Sequence, residues 1–192
     1  MRHLVVGLGN PGRRYRRTRH NIGFRVVEAL AAGAGVELDR GDGTVRWTRA
    51  RIGERPLLIA EPLCYMNRSG PPVRRLMEDW EIGREDLLVI HDDVDLALGR
   101  FKFKEKGGDG GHRGVRSLID ALGDGDFGRL RIGIGRPAEG TDVVDHVLGD
   151  FTPQESAVLD PIIERACRAA IIALTEGIGA AMNRFNTREP LT

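Results

Sequence analysis

The chain begins with a short apolar run that gives way to a cationic loop, and this change constrains the fold more than any other feature. Residues 4–6 form a run short enough for a buried strand. Residues 10–12, Asn-Pro-Gly, then supply turn chemistry. Five arginines follow within 13–19, and no acidic residue occurs among the first 27. The pattern predicts a strand end followed by a loop suited to an anionic substrate, with Asn10 and His20 as its reactive groups.

Three glycines in this stretch also match a dinucleotide-binding pattern. Gly7, Gly9 and Gly12 have the spacing G-x-G-x-x-G. That fingerprint requires a helix that opens at the second glycine and packs on the strand. The nine residues after Gly12 contain only Tyr15 as an apolar contact, so they offer no buried helix stripe. A turn is favoured, and a dinucleotide-binding enzyme stays as an alternative.

Length and composition favour one soluble globular domain, residues 1–192. The chain has 41% apolar and 30% charged residues and a net charge of +1. Only three of its 29 basic residues are lysines; arginine suits bidentate phosphate contact, although genome composition or a hot habitat gives the same bias. Its two cysteines form neither a disulfide framework nor a metal quartet. The sequence has no signal peptide and no apolar run near 18 residues, so we expect a cytoplasmic protein outside the membrane.

Apolar spacing alternates between the strand and the helix period along the chain. Strands are predicted at 4–6, 45–52, 57–60, 87–90, 101–104 and 129–134. Helices are predicted from Asn21, which is placed to cap the first, and then at 71–80, 115–122, from 153 to the break at Gly177, and on to about Phe185. Interleaved strands and helices predict an α/β fold with a central sheet surrounded by helices. The hairpin at 44–60 makes that sheet mixed.

Polar side chains occur where the predicted elements end. Asn10, Asn67 and Asp92 each follow an apolar stretch, and His112 precedes a predicted helix. In open α/β sheets, sites lie at the carboxyl ends of strands, so these groups are expected to converge there. Asp92 can fix the tautomer of His20, which leaves the other imidazole nitrogen free to take a proton from water. A loop-capping role for Asp92 is equally open.

Metal and thiol chemistry are weaker alternatives. In an extended segment, His91, Asp93 and Asp95 share one face and Asp92 takes the other, so the first three are candidate metal ligands. A structural metal site needs a closed ligand set, and the sequence offers no partner cluster. Cys64 is a candidate nucleophile, but a buried inert thiol is favoured. No serine lies in G-x-S-x-G, so a hydrolase of this sequence would use activated water.

Basic residues recur on the polar faces of two predicted strands. Alternation places Lys102 and Lys104 on one face of the first, and Arg129 and Arg131 on one face of the second. Solubility is the usual reason for such charges. Together with the arginine loop they can instead form a cationic track for RNA. A non-catalytic RNA-binding protein on this scaffold is therefore a second hypothesis.

Several motifs, in order along nearly the whole chain, resemble those of the bacterial peptidyl-tRNA hydrolases. They are V-G-L-G-N-P-G at 6–12, Tyr15, T-R-H-N-I-G at 18–23, Y-M-N-R-S-G at 65–70, H-D-D-V-D-L at 91–96, G-G-D-G-G-H-R-G at 107–114, R-L-R-I-G-I-G at 129–135 and V-L-G at 147–149. The resemblance implies hydrolysis of the ester between a peptide, or another N-blocked aminoacyl group, and the 3′-terminal ribose of tRNA. Such an enzyme recycles peptidyl-tRNA released prematurely from ribosomes during translation. The resemblance also implies a mixed sheet wrapped by helices, a monomer, and no metal or organic cofactor.

The same resemblance implies roles for individual residues. His20 would be the general base and Asp92 its orienting partner. Asn10 would position the substrate and help to distinguish blocked from free aminoacyl ends. The side chains lining the site for the peptide and the terminal adenosine would be Tyr15, Tyr65 and Asn67. The pair clamping the tRNA 5′-phosphate would be Lys104 and Arg131.

The glycine-rich motif departs from the family at one position. The family's usual motif ends Gly-His-Asn-Gly, whereas this chain reads Gly111-His112-Arg113-Gly114. Asparagine can donate and accept a hydrogen bond, but arginine only donates and carries a charge. His112 and Arg113 are still expected among the substrate-binding residues, where Arg113 can stabilise an oxyanion or grip a phosphate.

Overall fold

The computed structural model describes residues 3–186, where the predicted α/β fold with a central mixed sheet and flanking helices is confirmed. Seven strands form one sheet in this range: β1 (His3–Gly7), β2 (Arg40–Gly41), β3 (Val45–Ile52), β4 (Arg55–Pro62), β5 (Leu87–Asp93), β6 (Phe101–Lys104) and β7 (Gly128–Gly133). All six predicted strands are present. The strands follow the sequence pattern because each is a short apolar or alternating run between turn residues.

Seven α-helices flank the sheet within the same described range. They are α1 (Ile22–Gly33), α2 (Gly70–Asp79), α3 (Arg113–Leu122), α4 (Val143–Leu148), α5 (Pro153–Ser156), α6 (Leu159–Glu176) and α7 (Ile178–Phe185). The helix predicted from residue 153 is interrupted after Ser156, and α4 was not predicted. None of the helices described here is both long and apolar enough to cross a bilayer.

The strand order is β2-β3-β4-β1-β5-β7-β6. The four central strands, β4, β1, β5 and β7, run parallel to one another. The hairpin of β3 with β4 is antiparallel, as predicted. The edge strand β6 is antiparallel to β7. The parallel centre brings the carboxyl ends of β1, β4 and β5 to one edge, which is where loops can build a site.

Two apolar cores lie on the two faces of the sheet. Along β1, Val5 faces the core under α1 and α6, whereas its neighbours Leu4 and Val6 face the core under α2 and α3. The same period of two applies to β7, where Leu130 faces the α6 side. Burial of both faces explains why the central strands are almost wholly apolar.

A close helix crossing fixes the loop that carries His20. Gly23, in the first turn of α1, lies so near the ends of β1 and β5 that a Cβ there would overlap the carbonyl oxygens of Leu8 and Ile90. Glycine is therefore required at this approach. The crossing places His20, three residues earlier, beside the carboxyl end of β5.

Candidate active site

A cavity of about 380 Å³ opens at the carboxyl ends of the parallel strands. All ten side chains predicted for the site line it: Asn10, Tyr15, His20, Tyr65, Asn67, Asp92, Lys104, His112, Arg113 and Arg131. They come from six separate stretches of the chain. The fold therefore brings the predicted residues together, although their chemical roles follow only from the geometry below.

His20 and Asp92 form a buried pair in the wall of this cavity. Nδ1 of His20 lies 2.8 Å from Oδ1 and 3.0 Å from Oδ2 of Asp92. Because the carboxylate only accepts, this nitrogen carries the proton and donates. The other nitrogen, Nε2, has no hydrogen-bond partner among residues 3–186 and is left with its lone pair. The arrangement can accept a proton from a water molecule in the cavity.

Two histidines keep Asp92 ionised. Burial on its own would raise the pKa of this carboxyl, but the adjacent His20 and His112 and their hydrogen bonds bring it well below its usual range. The second contact is short, with Nε2 of His112 lying 2.9 Å from Oδ1. Asp92 is therefore a charged acceptor shared by two imidazoles, and its carboxylate cannot rotate freely.

The beginning of α3 sets the tautomer of His112. Its Nδ1 accepts hydrogen bonds from the backbone N–H groups of Gly114, at 3.2 Å, and Val115, at 3.3 Å, and so caps the helix. Nδ1 must then be unprotonated, so Nε2 carries the proton that is donated to Asp92. Helix capping and orientation of the Asp92 carboxylate are joined in one side chain.

This hydrogen-bond pattern does not fit a metal ion. His20, Asp92 and His112 each offer a ligand atom, all within 4.8 Å of one another, and they are the one such group among the described residues. A metal on Nε2 of His112 would displace its proton to Nδ1, where it would meet two backbone N–H donors. The predicted trio His91, Asp93 and Asp95 does not assemble either.

Each member of that trio is engaged elsewhere. Asp93 forms an ion pair with Arg131, and Asp95 pairs with Arg136 at 2.8 Å. His91 is buried, with its ring 4.6 Å from that of His112 and its Nδ1 2.7 Å from the carbonyl oxygen of Asp92. Burial and the neighbouring His112 lower the pKa of His91 well below its usual range. His91 is thus a neutral residue that packs against His112 in the wall of the cavity.

Asn10 is held by a network that the sequence did not predict. Its Oδ1 accepts from the backbone N–H of Met66 at 2.8 Å, so its Nδ2 is turned away from Met66 and has no described partner. Asn21 bonds both backbone groups of Asn10, each at 2.9 Å. Asn21 precedes α1 as predicted, but its side chain makes no capping bond to that helix, because it bonds the backbone of Asn10 instead.

Two of the predicted cations are structural rather than free. Arg129, placed on the cationic track from its alternation, is buried and donates to the carbonyl oxygens of Gly107, Gly108 and Gly125. It therefore holds the glycine-rich loop in place. Arg19 is buried in the same way, with a 2.6 Å ion pair to Glu155. Arg129 still lines the cavity, but neither guanidinium is a free contact for RNA, because periodicity shows the face of a residue but not what covers it.

Lys104 and Arg131 line the cavity as expected. Burial and the nearby charges of Arg131 and Lys102 lower the pKa of Lys104 from its usual value. A like-charge cluster of this kind is relieved by an anion. Arg131 also pairs with Asp93, which compensates part of its charge.

An apolar wall completes the cavity and was missed from the sequence. Val143, Val144, Val147 and Leu148 of α4 all line it, and three of them are exposed, as is Tyr65, which is 55% exposed. The spacing of these residues, at i, i+1, i+4 and i+5, indicated one helix face. The segment is only 6 residues long, so it was too short to stand out.

Cys64 does not belong to the cavity. Its thiol donates to the carbonyl oxygen of Arg68 at 3.1 Å, and burial raises its pKa. A protonated thiol without a histidine partner is a poor nucleophile. The glycine fingerprint likewise lacks its helix, because α1 begins only at Ile22.

A mixed sheet whose parallel centre carries an Asp–His pair beside a cavity is an α/β arrangement suited to hydrolysis by activated water. The family model of peptidyl-tRNA hydrolase matches residues 4–191. The peptidyl-tRNA hydrolase of Bacillus subtilis (strain 168) is 40% identical, over 96% of this chain and 98% of that protein. That of Desulforudis audaxviator (strain MP104C) is 47% identical, over 96% of this chain and 93% of its own. The chain belongs to the peptidyl-tRNA hydrolase family.

A solved structure supports the same assignment. The crystal structure of peptidyl-tRNA hydrolase from Acinetobacter baumannii superposes with a TM-score of 0.90 and 37% identity, covering 98% of this chain and 96% of that one. The shared family and fold make this chain a hydrolase of the same class.

Proposed function

We propose that this protein hydrolyses the ester between the peptide and the 3′-terminal ribose of tRNA, with His20 as the general base oriented by Asp92. The observation that carries the proposal is the buried pair of His20 and Asp92, 2.8 Å apart, in the wall of a cavity that also presents cations and an apolar helix. Such a substrate places the activity in the cytoplasm, during translation. We further propose that the protein acts as a monomer, as the family resemblance implies.

The chemical step begins with a water molecule at Nε2 of His20. The imidazole takes one proton from the water as its oxygen attacks the ester carbonyl carbon, and the negative charge of Asp92 stabilises the imidazolium that forms. The tetrahedral intermediate then collapses with cleavage of the bond between the carbonyl carbon and the ribose oxygen. His20 returns its proton to that ribose oxygen, which releases the peptide acid and free tRNA.

Asn10 supplies a fixed donor for the carbonyl. Met66 and Asn21 hold the other polar groups of Asn10, so its Nδ2 is already oriented in the free protein. The Asn10 side chain therefore need not be ordered when the reaction takes place. We assign this N–H to the substrate carbonyl, where charge develops during attack. Because Asn10 holds this carbonyl, it also fixes the position of the blocked amino group of the same aminoacyl residue.

Two parts of the cavity surface suit two different parts of the substrate. The exposed valines and leucine of α4, together with Tyr65 and Tyr15, suit the peptide and the terminal base, since apolar and aromatic surface binds both. Lys104 and Arg131 suit the 5′-phosphate of tRNA, because their mutual repulsion falls when an anion binds.

The test is release of N-acetylaminoacyl groups from tRNA by three forms of the protein. H20A should abolish turnover, and D92N should reduce kcat about a thousandfold, because asparagine can donate to Nδ1 and favour the wrong tautomer. The chain offers a matched His–Asp pair, His3 and Asp86, 3.2 Å apart and outside the cavity, so D86N is the control and should keep full activity. Unchanged turnover in H20A would remove the mechanism.

A non-catalytic RNA-binding role is the second candidate. Its specific support is Arg113, which replaces the family's usual asparagine. Salt-sensitive tRNA binding without any ester cleavage by the unmodified protein would favour it. Activity that is lost with EDTA would instead favour a metal-dependent route.

A further inference from the structure

Two side chains on one rim join the catalytic cavity to a neighbouring surface groove. Asn67 and Arg113 line both the cavity and the groove, which continues over Pro71 and Ser117 beside α3. Both side chains are exposed. Within residues 3–186, neither side chain has a hydrogen bond or ion pair. The rim is thus polar, its two side chains are available to a ligand, and it can be reached from both the cavity and the groove.

The charge of Arg113 is uncompensated, because the nearby acidic groups have other partners. Asp109 pairs with Arg116 at 3.3 Å and accepts from the backbone of Gly111 at 2.7 Å. Asp120 pairs with the same Arg116 at 3.5 Å. Arg113 is also the first residue of α3, whose amino end adds partial positive charge. An anion entering the groove therefore meets a free guanidinium.

The substrate's own covalent structure supplies an anion next to the scissile ester. The scissile ester is on the terminal ribose, and the last phosphodiester of the strand is on the 5′ carbon of that same ribose. A strand that presents its ester to His20 must therefore place this phosphate about one sugar away, at the mouth of the cavity. Guanidinium is the side chain best matched to two phosphate oxygens.

We propose that Arg113 binds the last phosphodiester of the tRNA 3′ strand, and that this contact makes the enzyme prefer an ester on an oligonucleotide to one on a free nucleoside. The inference rests on the proposed function. An oxyanion role fits less well, because an oxyanion donor must be held rigidly in a water-excluded site. Arg113 is exposed and is held by none of the described side chains.

The experiment compares two small substrates. One is N-acetylaminoacyl-adenosine, which has no phosphate, and the other is the same ester on cytidylyl-(3′,5′)-adenosine, which has one. R113N, which installs the family's usual residue, should lower kcat/KM for the dinucleotide about tenfold and leave the nucleoside ester unchanged. R113K should recover part of the loss, since it keeps the charge. R74Q, on the outer face of α2, is the control for loss of one arginine charge.

Binding gives a readout that does not need ester cleavage. Uncharged cytidylyl-adenosine, titrated by NMR, should bind R113N about tenfold more weakly than the unsubstituted protein, and adenosine should bind both equally. If neither the unsubstituted protein nor any variant cleaved the esters, the proposed function would be contradicted, and this titration would still test Arg113. Equal losses on both esters, or equal dinucleotide binding by both proteins, would overturn the phosphate assignment.

Discussion

His112 donates to the carboxylate of Asp92 at 2.9 Å while its other ring nitrogen caps α3, so one imidazole joins the stability of a helix to the orientation of that carboxylate. The two roles use different atoms. They can therefore be separated by a residue that keeps one atom and loses the other.

Asparagine and alanine at position 112 make that separation. Asparagine is a good N-cap but is too short to replace Nε2 at Asp92, whereas alanine loses both contacts. We expect both variants to lower kcat about tenfold through Asp92. H112N should be more stable than H112A by about 1 kcal/mol in denaturant unfolding.

The pH profile distinguishes this role from simple damage to the fold. Loss of one donor leaves more of the negative charge of Asp92 to stabilise the imidazolium of His20, so the acid limb of kcat/KM should move to higher pH in both variants. H146N, at a histidine that contacts the carbonyl of Gly135 instead, should leave the profile in place. An unmoved acid limb in H112N would show that His112 does not act through Asp92.

Glu61 should make stability depend on pH near neutrality. Burial raises its pKa from 4.5 to about 7, against the opposing attraction of Arg46. One of its carboxylate oxygens has no partner among the described residues. Between pH 4.5 and 7 the folded state therefore holds a proton that the unfolded state has lost, and the free energy of unfolding falls as pH rises through this range.

The variant E61Q removes that ionisation. Its unfolding free energy, measured by urea titration from pH 4.5 to 7, should lack a decline of up to about 3 kcal/mol that the unsubstituted protein shows. Glu28 is the second partner of Arg46, at 3.3 Å, and its charge is the smallest of the causes that shift the pKa of Glu61, so E28Q should keep most of the decline. Parallel curves for E61Q and the unsubstituted protein would contradict the assignment.

Lys104 should matter only when the tRNA carries its 5′-phosphate. K104A should raise KM about tenfold for such a tRNA, because a charge-assisted contact is lost. With tRNA treated by phosphatase, K104A and the unsubstituted protein should be equal. K102A is the matched control, because Lys102 lies on the same strand face but does not line the cavity. A loss that persists after phosphatase treatment would assign Lys104 to another part of the substrate.

Cys64 should be dispensable for turnover. Its thiol is protonated and bonded to the carbonyl of Arg68, so C64S keeps a donor at that place. We expect C64S to retain activity within about twofold, and a cysteine-alkylating reagent to leave C64S unaffected. Inactivation by the substitution would instead support a thiol mechanism.

The sequence determined the elements and the identity of the polar groups, because both depend on local pattern. Short apolar or alternating runs predicted the strands, and their ends marked Asn10, Asn67 and Asp92 as candidates. The rule that parallel strands present their carboxyl ends at one edge was enough to expect a common site.

Only the tertiary structure decided which cations are free and which atoms carry protons. Arg129 and Arg131 are two residues apart on one strand face and both line the cavity, but the carbonyl groups of the glycine-rich loop bind and bury the first, whereas the second is only partly buried. The tautomer of His112 depends on two backbone groups of α3 and on a carboxylate 20 residues away. Such contacts join distant parts of the chain, and periodicity in one segment contains no information about what packs against it.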